Sequence, residues 1–324
     1  MKGAPRLIVL FTAGAALLYL LFNAMVISGV SKSAKGQLGK VNRICNHENT
    51  PAIAIFGSSV GEVGINAPLL QAQTGLSVFN FSIDGTRFQQ YKGLIDEFAS
   101  NNNTTKFVVL TETYFSFAKV DALTEPERYL ANISNNNVYK SLYSIQPDMI
   151  WKSRYVPFYK YTLVSHTFYM AAMDGWKRRF KNTGTDSLAG YTPVYRNWEA
   201  DQDSIMKKLK PFSIETDASV IAAYKDCISR LRAKGIQVLI VLPPVYMTVL
   251  KTKTDFTPLR TTLRSVAKES NCVFWDFSES RMCDDKSFFY NSNHLNSKGA
   301  GNFGLVLADS IKQLAQNIKK EAAR

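Results

Sequence analysis

Histidine and cysteine are scarce in this chain. Of its 324 residues three are histidine (His47, His166 and His294) and four are cysteine (Cys45, Cys227, Cys272 and Cys283). No CxxC pair occurs, which argues against a zinc site. Cys272 and Cys283 could pair in an oxidising compartment, but the simpler reading makes Cys227 and Cys272 small core residues on a helix and a strand. Internal repeats, low-complexity tracts and nucleic-acid-binding motifs are also missing. The net charge of +13 would favour anionic partners, yet the basic residues are scattered, which argues against nucleic acid. Charge is missing altogether from Leu7 to Ser31.

That uncharged run, LIVLFTAGAALLYLLFNAMVIS, is long enough for a bilayer span, which takes about 20 apolar residues as a helix. A cleavable signal peptide has a shorter apolar run and a small-x-small site. Residues 1–31 are therefore read as an uncleaved anchor, with residues 32–50 as a polar stalk. Lys2 and Arg6 flank one side of the run and Lys32, Lys35, Lys40 and Arg43 the other. Flanking charge thus leaves the orientation open.

From residue 51 to 324 apolar strands alternate with amphipathic helices. Strands are predicted at Ala52–Phe56, Ser77–Phe81, Phe107–Leu110, Ile236–Leu242 and Cys272–Phe277. The predicted helices cover 87–99, 217–233, 257–269 and 299–319. Short continuous apolar runs suit buried parallel strands. The alternation implies an α/β fold with a doubly wound five-stranded parallel sheet, whose ligands sit at the carboxyl ends of the strands. Residues at about 114–212 exceed one crossover and read as a largely helical insertion. Its 139–181 stretch is rich in aromatic and basic residues. The simpler reading packs these on the main domain. The sharper one makes them a lid that contacts sugar rings, a membrane surface or a partner protein.

Ser59 follows the first strand in Gly57-Ser58-Ser59-Val60 and precedes a probable helix. That position exposes a hydroxyl at the strand's carboxyl end, where backbone amides favour developing negative charge. Gly85, in Asn80-Phe81-Ser82-Ile83-Asp84-Gly85, could lend a second oxyanion donor, although turn glycines are common. Glu112 ends the third strand and could bind substrate, hold a neighbour or cap a turn. His294 lies in a polar loop before the last helix. As a general base it needs an orienting partner on its other ring nitrogen. Asn291, three residues earlier, is the natural candidate, and Asp284 or Asp285 could supply a carboxylate instead.

With these residues assembled, the chain resembles the SGNH/GDSL hydrolase superfamily. Gly57-Ser58-Ser59 looks like its first block, Asn80 to Gly85 its second, and Asn291 to His294 its last. The His294-Leu295-Asn296 tail, with Gly299 and Ala300, is similar to membrane-anchored extracytoplasmic members. The resemblance covers roughly residues 50–112 and 236–315. It implies a flavodoxin-like sheet, Ser59 as nucleophile, His294 as base, Gly85 as oxyanion donor, and no cofactor or metal. It also implies an acylated cell-surface glycan as substrate and a membrane-bound O-acyltransferase as partner. Two positions depart from the family pattern. Glu112 stands near the place of an asparagine oxyanion donor, and Asn291 replaces the aspartate of the last block.

Overall fold

The structure, a computed structural model, describes residues 4–48, 50–101, 104–180 and 188–322. Lys2 and residues 181–187 of the insertion lie outside the described residues. Five strands form one parallel sheet: β1 (Ile53–Gly57), β2 (Val78–Asn80), β3 (Phe107–Thr111), β4 (Gln237–Leu242) and β5 (Val273–Asp276), in the order β2-β1-β3-β4-β5. This is the flavodoxin-like order, which reverses direction beside β1 and opens a crevice at the strands' carboxyl ends.

The chain begins with α1 (Ala4–Val30) and α2 (Gly36–Cys45). After β1 come α3 (Ser59–Gly64) and α4 (Ala67–Thr74), and after β2 comes α5 (Phe88–Ser100). The insertion holds α6 (Glu127–Leu130), α7 (Asn136–Tyr143), α8 (Pro147–Tyr155), a 3₁₀ turn at Tyr159–Thr162, α9 (His166–Phe180) and α10 (Ala200–Lys208). Then follow α11 (Ala218–Ala233), α12 (Met247–Leu250) and α13 (Thr257–Glu269). A small antiparallel ribbon, β6 (Phe289–Asn291) with β7 (His294–Leu295), leads into α14 (Ser297–Ala322).

Strand side chains alternate between two cores, as the period of two requires. Ala54, Phe56, Val108, Leu110, Val238 and Ile240 face α5, α11 and α13. Ile53, Ile55, Val109, Leu239 and Val241 face α4 and α14. On α14, Phe303, Leu307 and Ile311 are fully buried. At about 1.5–3 kcal/mol for each such side chain, this stripe fixes the helix and the loop before it.

Three local signals explain element ends. Asn66 caps α4 by accepting from Leu69 N–H, and Gly75 closes that helix in a left-handed turn at φ +68°. Asp217 caps α11 through Ser219 and Val220 N–H. All four cysteines are free. Cys227 is buried on α11, and Cys272 is half-buried just before β5.

The stalk expected at 32–50 needs correction. Residues 36–45 form a helix, and Lys40, Val41, Asn42, Arg43 and Ile44 on it are buried. The segment looks polar because its polar groups are used internally. Asn42 Nδ2 donates to Val30 O (2.7 Å) and Ser33 O (2.8 Å), which straps α2 to the end of α1. The insertion is divided in its use. Val138 and Leu142 of α7 and Ile150 of α8 join the main core, whereas Trp151, Tyr155 and Phe158 are exposed.

Candidate active site

The site is built on glycines that let the chain pack without side chains. A Cβ on Gly57 would lie 1.8 Å from Thr111 Oγ1, and one on Gly61 would lie 2.5 Å from Ser82 Oγ. Only glycine allows β1 and α3 to approach β3 and the loop after β2 this closely. Buried Asn80 then ties the two loops together. Its Nδ2 donates to Gly61 O (2.8 Å) and Ile65 O (3.1 Å), and its Oδ1 accepts from Ser82 N–H (3.0 Å). Ser59 is the first residue of α3, so its own N–H has no partner within the helix.

His294 arrives from the other end of the sheet. Its Nε2 is 2.7 Å from Ser59 Oγ, and its Nδ1 is 2.9 Å from Asn291 Oδ1. The same Asn291 oxygen accepts from the backbone N–H of Asn293 and of His294, each at 3.0 Å. Two backbone donors can be met only by the amide oxygen, which settles which way the amide points. Facing that oxygen, Nδ1 carries the proton. Nε2 is then the acceptor for the Ser59 hydroxyl, as a general base must be. The ring stacks on Tyr290 (5.4 Å, 17° between planes), and the Arg196 guanidinium lies 5.1 Å over Tyr290. Burial pushes the His294 pKa down to about 4, against a smaller upward pull from Asp84.

The rest of the tail serves as scaffold. Asn296 Oδ1 accepts from Gly299 N–H (3.0 Å) and so caps α14, while its Nδ2 donates to Ser287 O (2.9 Å). A Cβ on Gly299 would meet Phe288 O at 2.2 Å.

Gly85 sits on the loop that Asn80 braces, at φ +68°, a conformation that favours glycine. With Arg87, Gln90, Tyr114, Lys119 and Thr124 it lines a polar cavity of about 590 Å³. Tyr114 links this cavity to the histidine loop, its hydroxyl accepting from Asn293 Nδ2 at 2.8 Å.

Two sequence expectations change. Glu112 does not join the catalytic pair. It is fully buried, on the face of β3 that meets α5 and α11. Tyr91, Tyr224 and Ser116 surround its carboxyl, yet none closes a well-formed hydrogen bond on either oxygen. Desolvation pushes its pKa up to about 7, and the neighbouring hydroxyls only moderate the rise. The alternation of β3 decides this, because Thr111 faces Gly57 and the next residue faces away. Asp284 and Asp285 do not orient His294 either. Asp285 instead accepts from Ser287 N–H at 2.9 Å.

One feature of the site was not read from the sequence. Glu62, on the same short helix as Ser59, is buried and paired with Lys40 of α2 (Nζ–Oε1 3.0 Å). Gln37 Nε2 (3.2 Å) and Thr192 Oγ1 (3.0 Å) also donate to Glu62, and Lys40 Nζ donates to Ser82 O (2.7 Å). The signal was a single carboxylate in an otherwise small and apolar run, Ser59-Val60-Gly61-Glu62-Val63-Gly64. Among the described residues, no group of three His, Cys, Asp or Glu side chains is placed to hold a metal ion.

Fold and site together define a flavodoxin-like α/β domain with a serine–histidine–asparagine constellation at the carboxyl edge of its sheet. No family model and no curated protein matches the chain. Among solved structures it is similar to a protein of Desulfitobacterium hafniense DCB-2 described as lipolytic and of the G-D-S-L family. The identity is 13%, the TM-score 0.39, and the match covers 79% of this chain and 97% of that one. It is also similar to a protein of Bacteroides fragilis NCTC 9343 described as an acylhydrolase, at 12% identity and TM-score 0.38, over 84% of this chain and 88% of the other.

Proposed function

We propose that this chain is a membrane-anchored serine esterase or O-acyltransferase of the SGNH type. Its substrate would be an acyl ester, foremost acetyl, of cell-surface polysaccharide, with the domain on the extracytoplasmic side and a membrane-bound O-acyltransferase as partner. The observation that carries the chemistry is the 2.7 Å contact of Ser59 Oγ with His294 Nε2, in the tautomer that Asn291 imposes. The polar cavity beside Gly85 supports a glycan, since Arg87, Gln90 and Lys119 offer hydrogen bonds rather than an apolar acyl slot. The helix α1, apolar over 26 residues, supports the anchor.

In this reading Ser59 Oγ attacks the ester carbonyl while Nε2 of His294 takes its proton. The N–H groups of Ser59 and Gly85 hold the oxyanion. Asn291 Oδ1 keeps its bond to Nδ1–H while the ring is cationic. The ester C–O bond then breaks as His294 gives the proton to the departing alkoxide, so that an alcohol leaves and the acyl group stays on Ser59 as an acyl-serine. Water or a sugar hydroxyl attacks the acyl-serine, again deprotonated by His294, and Ser59 is released.

The alternative is a degenerate domain that binds glycan or scaffolds an assembly complex. It expects the serine and histidine to stand apart, and the contact speaks against it. Incubation with an activated acetyl ester, followed by mass spectrometry, should find an acetyl adduct on Ser59. Ser59→Ala should lose the adduct and lower ester turnover by roughly three orders of magnitude or more. An unmodified Ser59, with turnover unchanged in Ser59→Ala, would sink the proposal.

A further inference from the structure

Three aromatic residues of the insertion, Phe158, Tyr161 and Trp176, pack against α1. Phe158 touches Tyr19 and Phe22 (ring centroids 4.6 and 6.4 Å), and Tyr161 OH donates to Asn23 Oδ1 at 3.0 Å. Trp176 Nε1 donates to Met25 O at 3.1 Å. The helices α1 and α9 meet at glycines: a Cβ on Gly175 would fall 1.8 Å from Gly29 O. The insertion is therefore clamped to α1 from Tyr19 to Gly29, within the apolar run itself.

Depth follows from helix geometry. Arg6 marks one end of the run, so the hydrocarbon begins near Leu7. At about 1.5 Å per residue, a core of about 30 Å ends near Ile27. Tyr19 and Phe22 then lie roughly 8–12 and 5–8 Å inside that boundary, and Phe158 lies with them. A ring touching a spanning helix at that depth is in the bilayer.

The local chemistry agrees. Phe158 is 52% exposed and holds a left-handed backbone at φ +64°, a conformation a bulky residue keeps only when its surroundings impose it. Trp151 and Tyr155, on the helix before it, are 48% and 55% exposed, and Met173 on α9 is 61% exposed. Basic groups lie against these rings, Arg154 over Tyr139 and Tyr155 at 4.5 and 5.5 Å, and Lys152 over Tyr159 at 5.8 Å. Apolar and aromatic bodies with cationic heads beside them are the composition of an interfacial segment.

We infer that residues 151–173 form a membrane footing, which seats Trp151, Tyr155, Phe158 and Met173 in the same bilayer leaflet that α1 crosses. The inference rests on α1 being a span and is independent of the ester chemistry. The footing removes the freedom a tether would give. Because α2 straps the end of α1 and also reaches Glu62 beside Ser59, and is itself only about 15 Å long, the catalytic edge is held close to the bilayer surface.

The full-length protein in phosphatidylcholine–phosphatidylglycerol nanodiscs tests this. The photoreactive residue benzoylphenylalanine replaces Trp151, Met173, Leu17 or Lys234 in separate variants, and lipid adducts are measured by mass spectrometry after irradiation. Adduct yields at 151 and 173 should approach that at 17 and exceed by about tenfold that at 234, which is exposed in the turn before β4, at the amino edge of the sheet. Adducts at 17 with none at 151 and 173 would overturn the footing and leave the anchor intact. Cross-links from 151 and 173 to a protein in native membranes, without lipid adducts in nanodiscs, would likewise overturn it in favour of a protein partner. Water-exposed behaviour at all four positions would overturn both anchor and footing. Ser59→Ala should leave every yield unchanged, which separates this test from the test of the hydrolase reading.

Discussion

Two buried glutamates lie near the carboxyl edge of the sheet, and they are treated differently. Glu62 is ringed by three donors from two parts of the chain: Lys40 and Gln37 on α2, and Thr192 in the insertion. Glu112 is more deeply buried and lacks a well-formed hydrogen bond on either oxygen. A buried carboxylate needs paired donors to stay charged, and one without them keeps its proton instead. Glu62 is thus an electrostatic bolt beneath the nucleophile. Glu112 is a weakly acidic core residue behind it. The lesson is that position at the end of a strand does not make a carboxylate catalytic; the face it occupies and the donors around it do.

The largest effect on this contrast should come from breaking the bolt. Lys40→Met leaves Glu62 buried without its cation, which should cost about 3–5 kcal/mol of stability, measurable by chemical unfolding in detergent. The double variant Lys40→Met with Glu62→Met should recover most of that stability. It should not recover full turnover, because Lys40 also holds Ser82 O in the Gly85 loop. If the single variant is as stable as the parent, Glu62 is not held by Lys40 in solution.

The second effect concerns Glu112. Its folded pKa of about 7 lies above the value of about 4.5 of an ordinary glutamate, so the native state holds a proton that the unfolded state releases. Stability from this group is present at low pH and is lost as pH rises from about 4.5 to 7, by on the order of 3 kcal/mol. Glu112→Gln keeps the neutral form at every pH, so its melting temperature should fall less between pH 4.5 and pH 8 than that of the parent. Parallel pH profiles for the two proteins would show that Glu112 stays ionised and paired.

Much of this was readable in the sequence, and the failures have physical causes. The strands were legible because buried parallel strands are continuous apolar runs, and Ser59, Asn291 and His294 because polar residues at fixed offsets stand out there. Contacts that depend on three-dimensional proximity alone were not legible. Lys40 and Glu62 are 22 residues apart, and neither carries a local signature of the other. Residues 32–50 looked like a stalk because a helix whose polar groups bond inward has the same composition as one that is solvated. Glu112 was misplaced because the period of two that buries Leu110 continues past the end of β3 and carries it to the same inner face, where a charged residue is not expected.

The smallest expected effect is also the sharpest, because it places a carboxylate where the protein has an amide. Asn291 Oδ1 already makes the three bonds an orienting aspartate would make, two to backbone N–H and one to Nδ1 of His294. The ring is therefore in the productive tautomer without a charge behind it. What the amide cannot do is favour the imidazolium that forms as Ser59 attacks. Burial holds the His294 pKa at about 4, so the neutral base persists to low pH but is a weak one. Asn291→Asp should keep the geometry and raise that pKa. The acid limb of kcat/KM should then move up from about pH 4, and turnover near neutrality should rise by about tenfold, or about 1.4 kcal/mol. The gain is limited because the new carboxylate must itself be desolvated beside the ring. A pH–rate profile of the two proteins decides it. An unmoved acid limb with slower turnover would mean that proton transfer to His294 does not limit the reaction, and that the amide is the group this site requires.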